Sequence, residues 1–170
     1  MAIKDQRIKN ALLMKHYIAD PAHPDFWMRL GKYIPTVTDS SEDVKEDGVA
    51  WYDGDGTSAE EITDYIIAMT FEGTYGADDN AMRYLDHIKY DTNNREVLWK
   101  IEREDRIEVG LANASDIVTG GGEASAFGEF KTTLTRKEKP TVTELDGETP
   151  YVFEHPATIG ETPTEPTTGQ

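Results

Sequence analysis

The chain has 170 residues, enough for one domain with a hydrophobic core. Its 33 acidic and 17 basic side chains give a formal net charge of −16, which argues against binding the outside of a nucleic acid by phosphate neutralisation. It does not exclude DNA passing nearby without adhering, although an acidic surface speaks first to solubility. There is no cysteine, so a disulfide framework, a zinc–thiolate site and a thiol nucleophile are excluded.

The opening residues, MAIKDQRIKNALLMKHY, lack the apolar core of a signal peptide. No apolar run approaches the ~20 residues that span a bilayer, so the expectation is a soluble protein assembled inside the cell. Residues 1–10 read as a loose arm, or one that orders on a neighbour. Residues 11–19, ALLMKHYIA, read as a strand, with a short helix as the alternative. The two prolines of Asp20-Pro-Ala-His23-Pro-Asp25 make a rigid turn. A metal site there lacks partner ligands at the required spacing. In residues 25–38, Phe26, Met28 and Leu30 share one face and Trp27 and Arg29 the other. Gly31 breaks this run, and Pro35 marks an edge or strand end.

Residues 39–61 read as a long loop with nine acids and one lysine, in which only Val49-Ala-Trp51-Tyr52 resembles a strand. Asp53-Gly-Asp55-Gly56 opens like a calcium loop. However, Gly56 falls at the fourth position instead of the sixth, and the later acids do not fit. Two Asp-Gly pairs favour a hairpin turn. Loops this long are usually functional or disordered.

Residues 62–71 predict one strand, with Thr63, Tyr65, Ile67, Met69 and Phe71 on one face, Ile62 and Ile66 on the reverse, and Glu72-Gly73 ending it. Residues 78–90 predict a helix with Asp78 as N-cap, Asp79 at the positive end of its dipole, and Ala81, Met82, Leu85 and Ile88 on the buried side. His87 reads as a surface or boundary residue. Asn93-Asn94 is a turn, residues 95–103 a strand with Val97, Trp99 and Ile101 on one face, and Glu104-Asp105 another turn.

Residues 107–140 hold two alternating runs joined by Gly120-Gly121-Gly122. Ile107, Val109, Leu111 and Ile117 share a parity in the first run. In the second, Ala126, Phe130 and Leu134 share one, opposite Ser125, Glu129, Lys131, Thr133 and Thr135. Such alternation predicts strands with one covered and one wet face, and the glycines predict a tight reversal into an antiparallel hairpin. Residues 141–145 read as a last strand, Asp146-Gly147 as a turn and residues 151–153 as a short return strand. The Pro/Thr-rich residues 155–170 read as extended or disordered.

No catalytic constellation appears. G-x-S-x-G, H-E-x-x-H and P-loop patterns are absent. His16, His23, His87 and His155 are scattered, and acid pairs carry little information among 33 acids. No catalytic residue, cofactor or metal is expected.

The predicted fold is mainly β: a two-sheet antiparallel β-sandwich able to form a barrel, with one flanking α-helix, a long inter-strand loop and an extended C-terminal tail. Residues 1–10 form the arm, 11–154 the domain and 155–170 the tail. Flat polar outer strands such as residues 123–136 leave an edge problem that ring closure would remove.

The run G-G-G-E-A-S-A, the F-x-x-x-L of Phe130 and Leu134 ahead of a basic residue and Pro140, the W-M-R-L-G-K of residues 27–32, and the strand-then-helix of residues 62–90 occur in a telling order. That order and spacing, over residues 8–145, resembles the phage major tail proteins, the tail tube subunits of long-tailed, siphovirus-type phages. No one of the motifs is specific alone. Trp27, Gly31 and Lys32 match a family strand as core, bulge and surface.

The resemblance implies a ring, usually of six subunits, stacked head to tail into a hollow tube through which DNA leaves the virion. The implied partners are further copies of the chain, a tape measure, a tail terminator and a baseplate or initiator. The implied location is the virion tail, after assembly in the host bacterial cytoplasm, with no membrane and no specific DNA binding. The wet parity would line the lumen, with Ser125 and Glu129 as candidates and acids keeping DNA mobile. Lys131 and Arg136 stand against that assignment. The acidic loop would reach a neighbouring subunit or ring through Asp39, Glu42, Asp43, Glu46, Asp47, Asp53 and Asp55. That loop and the Pro/Thr-rich tail depart from the family pattern. Two alternatives stay open. One is another ring-forming tube subunit, of tail-terminator or secretion-tube type. The other is a monomeric β-sandwich binding module, for a carbohydrate for example, with Trp51-Tyr52 as its exposed aromatics and Trp27 and Trp99 at core parity.

Overall fold

The computed structural model describes residues 7–144. The expected strand at 151–153, the tail at 155–170 and residues 1–6 of the arm lie outside the described residues. In chain order the elements are α1 (Asn10–Leu13), β1 (Lys15–Ala19), β2 (Met28–Leu30), β3 (Thr36–Asp39), β4 (Glu42–Asp47), β5 (Glu60–Ile66) and β6 (Ala68–Thr74). Then follow α2 (Asn80–Ile88), β7 (Glu96–Glu102), β8 (Arg106–Thr119), β9 (Glu129–Arg136) and β10 (Thr141–Glu144).

The main sheet has the order β2-β1-β7-β8-β9-β6-β3, and β10 also pairs with β8. All its pairings are antiparallel. Period-two alternation sets its two faces. Met28, Ile18, Trp99 and Gly110 form one cross-strand row facing the core, and Arg29, Tyr17, Lys100, Val109 and Thr141 form the next, facing out. Val97, Trp99 and Ile101 on β7, with Phe130, Thr132, Leu134 and Arg136 on β9, are buried in strict alternation.

The sheet curls until its ends meet. The His16 ring on β1 stands edge-on to Phe71 on β6, with centroids 4.9 Å apart. Residues 31–35 carry the chain from one edge strand, β2, to the other, β3, and the Thr74 amide donates to the Tyr33 carbonyl at 3.0 Å. A Cβ on Gly73 would collide with that carbonyl, so the closure needs glycine there. The helix α2 packs against β2 and β8 with Ala81, Met82, Leu85 and Ile88 buried. Residues 11–19 divide between α1 and β1, so both readings of that run hold in part.

Several expectations are corrected. The helix is capped by Asp79, whose side chain accepts from the Met82 amide at 3.1 Å. Asp78 instead takes Lys32 Nζ at 2.5 Å and the Tyr33 hydroxyl at 3.2 Å. Residues 62–71 are two strands that part at Ile67 and belong to different sheets, and β6 runs on to Thr74. Residues 39–61 are not a bare loop. β4 pairs with β5 in a two-stranded ribbon, with a register shift between Val44 and Lys45, and Val49–Tyr52 lies in the exposed connection.

On β8 the parity of Ile107, Val109 and Leu111 points outward and is half-buried, whereas Gly110, Ala112 and Ala114 face the core. The reason is space. Trp99 and the Arg136 side chain already fill the core beside β8, and a Cβ on Gly110 would stand 3.1 Å from Arg136 Nη1. The glycines at 120–122 all have positive φ, and β8 and β9 are antiparallel as expected. The reversal is not tight, however: it occupies residues 120–128, so Ser125 and Ala126 sit in a loop. Phe26 is 63% exposed ahead of β2, and Trp27 lies half-buried on the outward side rather than in the core.

Candidate functional site

The features that set this chain apart from a self-sufficient sandwich are its open edges, one polar sheet face and the ribbon. β2 and β3 each have a strand neighbour on one side only. Exposed strand edges present unpaired backbone groups to any second chain.

The outward face of β3, β6, β9 and the end of β8 is rich in hydroxyls. Thr36, Thr38, Thr70, Thr133 and Thr135 stand on it, and the Thr70 and Thr133 hydroxyls are 3.0 Å apart. Glu129, the first residue of β9, is exposed on this face and pairs with Thr74. Ser125 is exposed in the adjoining loop, off the strand. Of the two cations that stood against an uncharged or acidic surface, Lys131 stays on this face beside an acid and Arg136 leaves it. Lys131 lies 3.6 Å from Glu72. Arg136 points into the core, where its Nη1 donates to the carbonyls of Trp99 at 2.6 Å and Gly110 at 3.0 Å. Its guanidinium lies 4.4 Å above the Trp99 ring, and burial lowers its pKa to about 10, which leaves it charged at neutral pH.

The ribbon carries most of the predicted loop residues. Glu42, Asp43, Glu46 and Asp47 lie on β4, all exposed, and Asp53 and Asp55 are in its connection to β5. Asp39 is outside it, at the end of β3, where hydrogen bonds from Ser41 lower its carboxyl pKa. Asp55 accepts from the Thr57 amide at 2.9 Å and from the Thr57 hydroxyl, contacts that hold its pKa down and occupy the carboxylate within a turn. Gly54 N–H donates to Trp51 O at 3.1 Å, as a turn requires. Ile62 and Tyr65 are exposed along β5, and Val49, Trp51 and Tyr52 are exposed at the connection. A lone two-stranded hairpin is marginal in water, and this one also exposes five large apolar side chains.

Among the described residues no three His, Asp or Glu side chains gather at metal-binding spacing. His16 is buried, His23 and His87 are exposed, and His155 lies outside the described residues. No helix among them is long and apolar enough to cross a membrane.

The fold recurs in solved assemblies. A chain from the tail of an empty GTA (gene transfer agent) particle with C6 symmetry matches at TM-score 0.60 and 13% identity, over 81% of this chain and 98% of that one. A chain of the sheath–tube complex of an extracellular contractile injection system matches at 0.51 and 8% identity, over 84% and 95%. A chain of the anti-feeding prophage cap, a tube-terminating cap, matches at 0.50 and 11% identity, over 85% and 100%. No family model and no curated protein matches the sequence.

Proposed function

We propose that this chain is a structural subunit of a tail tube, six copies closing into a ring and the rings stacking head to tail. The observation that carries the reading is the fold match to a tail chain in a C6-symmetric particle, which spans nearly the whole of that chain. The open edges at β2 and β3 and the uncovered ribbon are consistent with it. Heterologous contacts make both ring and stack, and the ribbon is the element we assign to the neighbouring subunit or ring. The hydroxyl-rich face, with Glu129 on it and Ser125 at its margin, lines the lumen, and its one lysine, Lys131, is offset by Glu72. The assembly is a passive conduit in the tail of a bacteriophage-like virion. Its further partners are a tape measure, a terminator and an initiator, and it is built in the host cytoplasm.

A second reading has one observation in its favour. The tube-terminating cap shares the fold, so a terminator ring uses the same assembly logic without stacking. Negative-stain electron microscopy across a concentration series, with mass from light scattering, separates the cases. Tubes support the first reading, and rings that never stack support the second. A strict monomer at every concentration favours a binding module built on the exposed Trp51 and Tyr52. In a ring structure, a net basic channel wall would overturn the lumen assignment.

A further inference from the structure

We propose that the outward face of β1, β2 and β7 is the surface that receives the acidic β4–β5 ribbon of a second copy of this chain. The inference rests on the self-assembly reading above and adds the receiving surface to it.

The ribbon and its connection, residues 42–66, carry nine carboxylates against one lysine. That lysine, Lys45, is already 2.6 Å from Glu60. In a chain of net charge −16, most surface on a second copy repels such an element. The exception lies across the first three strands of the curled sheet. Lys15 and Arg29 are exposed there, with Lys100 half-buried between them and β8. Lys100 Nζ sits 4.5 Å from the Tyr17 ring centroid and 4.7 Å from that of Trp27, and the Arg29 guanidinium lies 5.8 Å from Tyr17. On the same face of β7, Glu102 lies 3.4 Å from Lys100, and Glu96 stands at the other end of the strand.

Many other described cations are engaged elsewhere: Lys32 with Asp78, Lys89 with Asp86, Lys131 with Glu72, Lys137 with Glu96, and Arg103 and Arg106 with Glu108. Among the described residues, no carboxylate lies within ion-pair distance of Lys15 or Arg29. The Tyr17 ring restricts where Arg29 and Lys100 sit, and a guanidinium so held suits bidentate capture of a carboxylate. Among the described residues, β2 has no strand neighbour on its outer side.

The absence of cysteine from the whole sequence makes a clean test. Lys15→Cys and Glu46→Cys proteins are mixed under mild oxidation, with Lys15→Cys plus Arg83→Cys as the control pair, Arg83 being exposed on α2. The expected result is a mixed disulfide forming several-fold faster than in the control. It should be suppressed in about 1 M salt, where the screening length falls to about 3 Å. If the wild-type protein assembles by light scattering but the test pair links no faster than the control, the receiving face is wrong and the assembly reading stands. If neither assembly nor linking occurs at any concentration, both are overturned. A second variant guards against misfolding. Lys15→Glu with Arg29→Glu should abolish association while keeping the wild-type circular dichroism, and mixing in Glu46→Lys with Asp47→Lys should restore it. Undiminished self-association of the first double variant overturns the proposal.

Discussion

Trp99 and His16, 83 positions apart, meet in the core, where the indole N–H donates to His16 Nδ1 at 3.4 Å. The bond requires a lone pair on that nitrogen, so the imidazole is neutral. Burial lowers its pKa from 6.5 to about 4, helped by the charges of Arg103, Arg136 and Arg29. The unfolded chain therefore binds a proton near neutrality that the folded chain refuses until about pH 4. Stability from this group is fully present above the unfolded pKa and falls as pH drops below it. From about pH 7 to about pH 5 the loss is about 2 kcal/mol. Urea unfolding at the two pH values should show that loss in wild type and a much smaller one in His16→Gln, which keeps an acceptor for Trp99. Equal slopes would remove His16 from the account.

The closure of the curled sheet predicts a severe lesion at a small residue. Gly73→Ala drives a methyl group into the Tyr33 carbonyl, backbone against backbone, and sacrifices the Thr74–Tyr33 hydrogen bond. A loss of about 2 kcal/mol or more is expected, read as a lower urea midpoint with an unchanged slope. A midpoint at the wild-type value would mean that the edges are not locked through this contact.

Gly48 occupies the neck of the ribbon, where an added Cβ would collide with the Ala59 carbonyl. The ribbon lies outside the core. Gly48→Ala should therefore leave the unfolding midpoint near wild type and still diminish self-association in light scattering. Trp51→Ala with Tyr52→Ala should do the same, since both rings are exposed in one copy. Wild-type assembly in both would detach the ribbon from the interface.

The helix cap separates two adjacent aspartates. Asp79→Ala should lose about 1 kcal/mol, because the Met82 amide is left without its acceptor. Asp78→Ala breaks only exposed contacts, with Lys32 and the Tyr33 hydroxyl, and should leave thermal unfolding near wild type. The reverse order would return the cap to Asp78.

Alternation alone carries β7 and β9, because each sets large apolar side chains on one face of a sheet wetted on the other. The α2 stripe was legible for the same reason at helical spacing. The misses have physical causes. Glu42–Asp47 is nearly all charge, so its pairing rests on backbone bonds that leave no apolar signature. The break at Ile67 lies inside a continuous apolar run without glycine or proline, so nothing local announces that β5 and β6 join different sheets. On β8 the bulky parity misleads because Arg136, a residue type rarely buried, takes the inner volume and forces Gly110, Ala112 and Ala114 inward. Of the surfaces assigned to assembly, the acidic loop was visible as composition. The cation–aromatic face was not, since Lys15, Tyr17, Trp27, Arg29 and Lys100 come together only through register.

β8 runs for 14 residues and is bonded to β7 on one side and to β9 and β10 on the other. At about 3.3 Å per residue it extends roughly 45 Å, longer than any other strand described. A pull along it loads many backbone hydrogen bonds at once, in shear. A pull on the ribbon opens β4 from β5 one pair at a time, like a zip. The subunit thus joins a stiff beam to a compliant arm. An assembly of such subunits would flex where the arms engage and keep its bore where the beams lie.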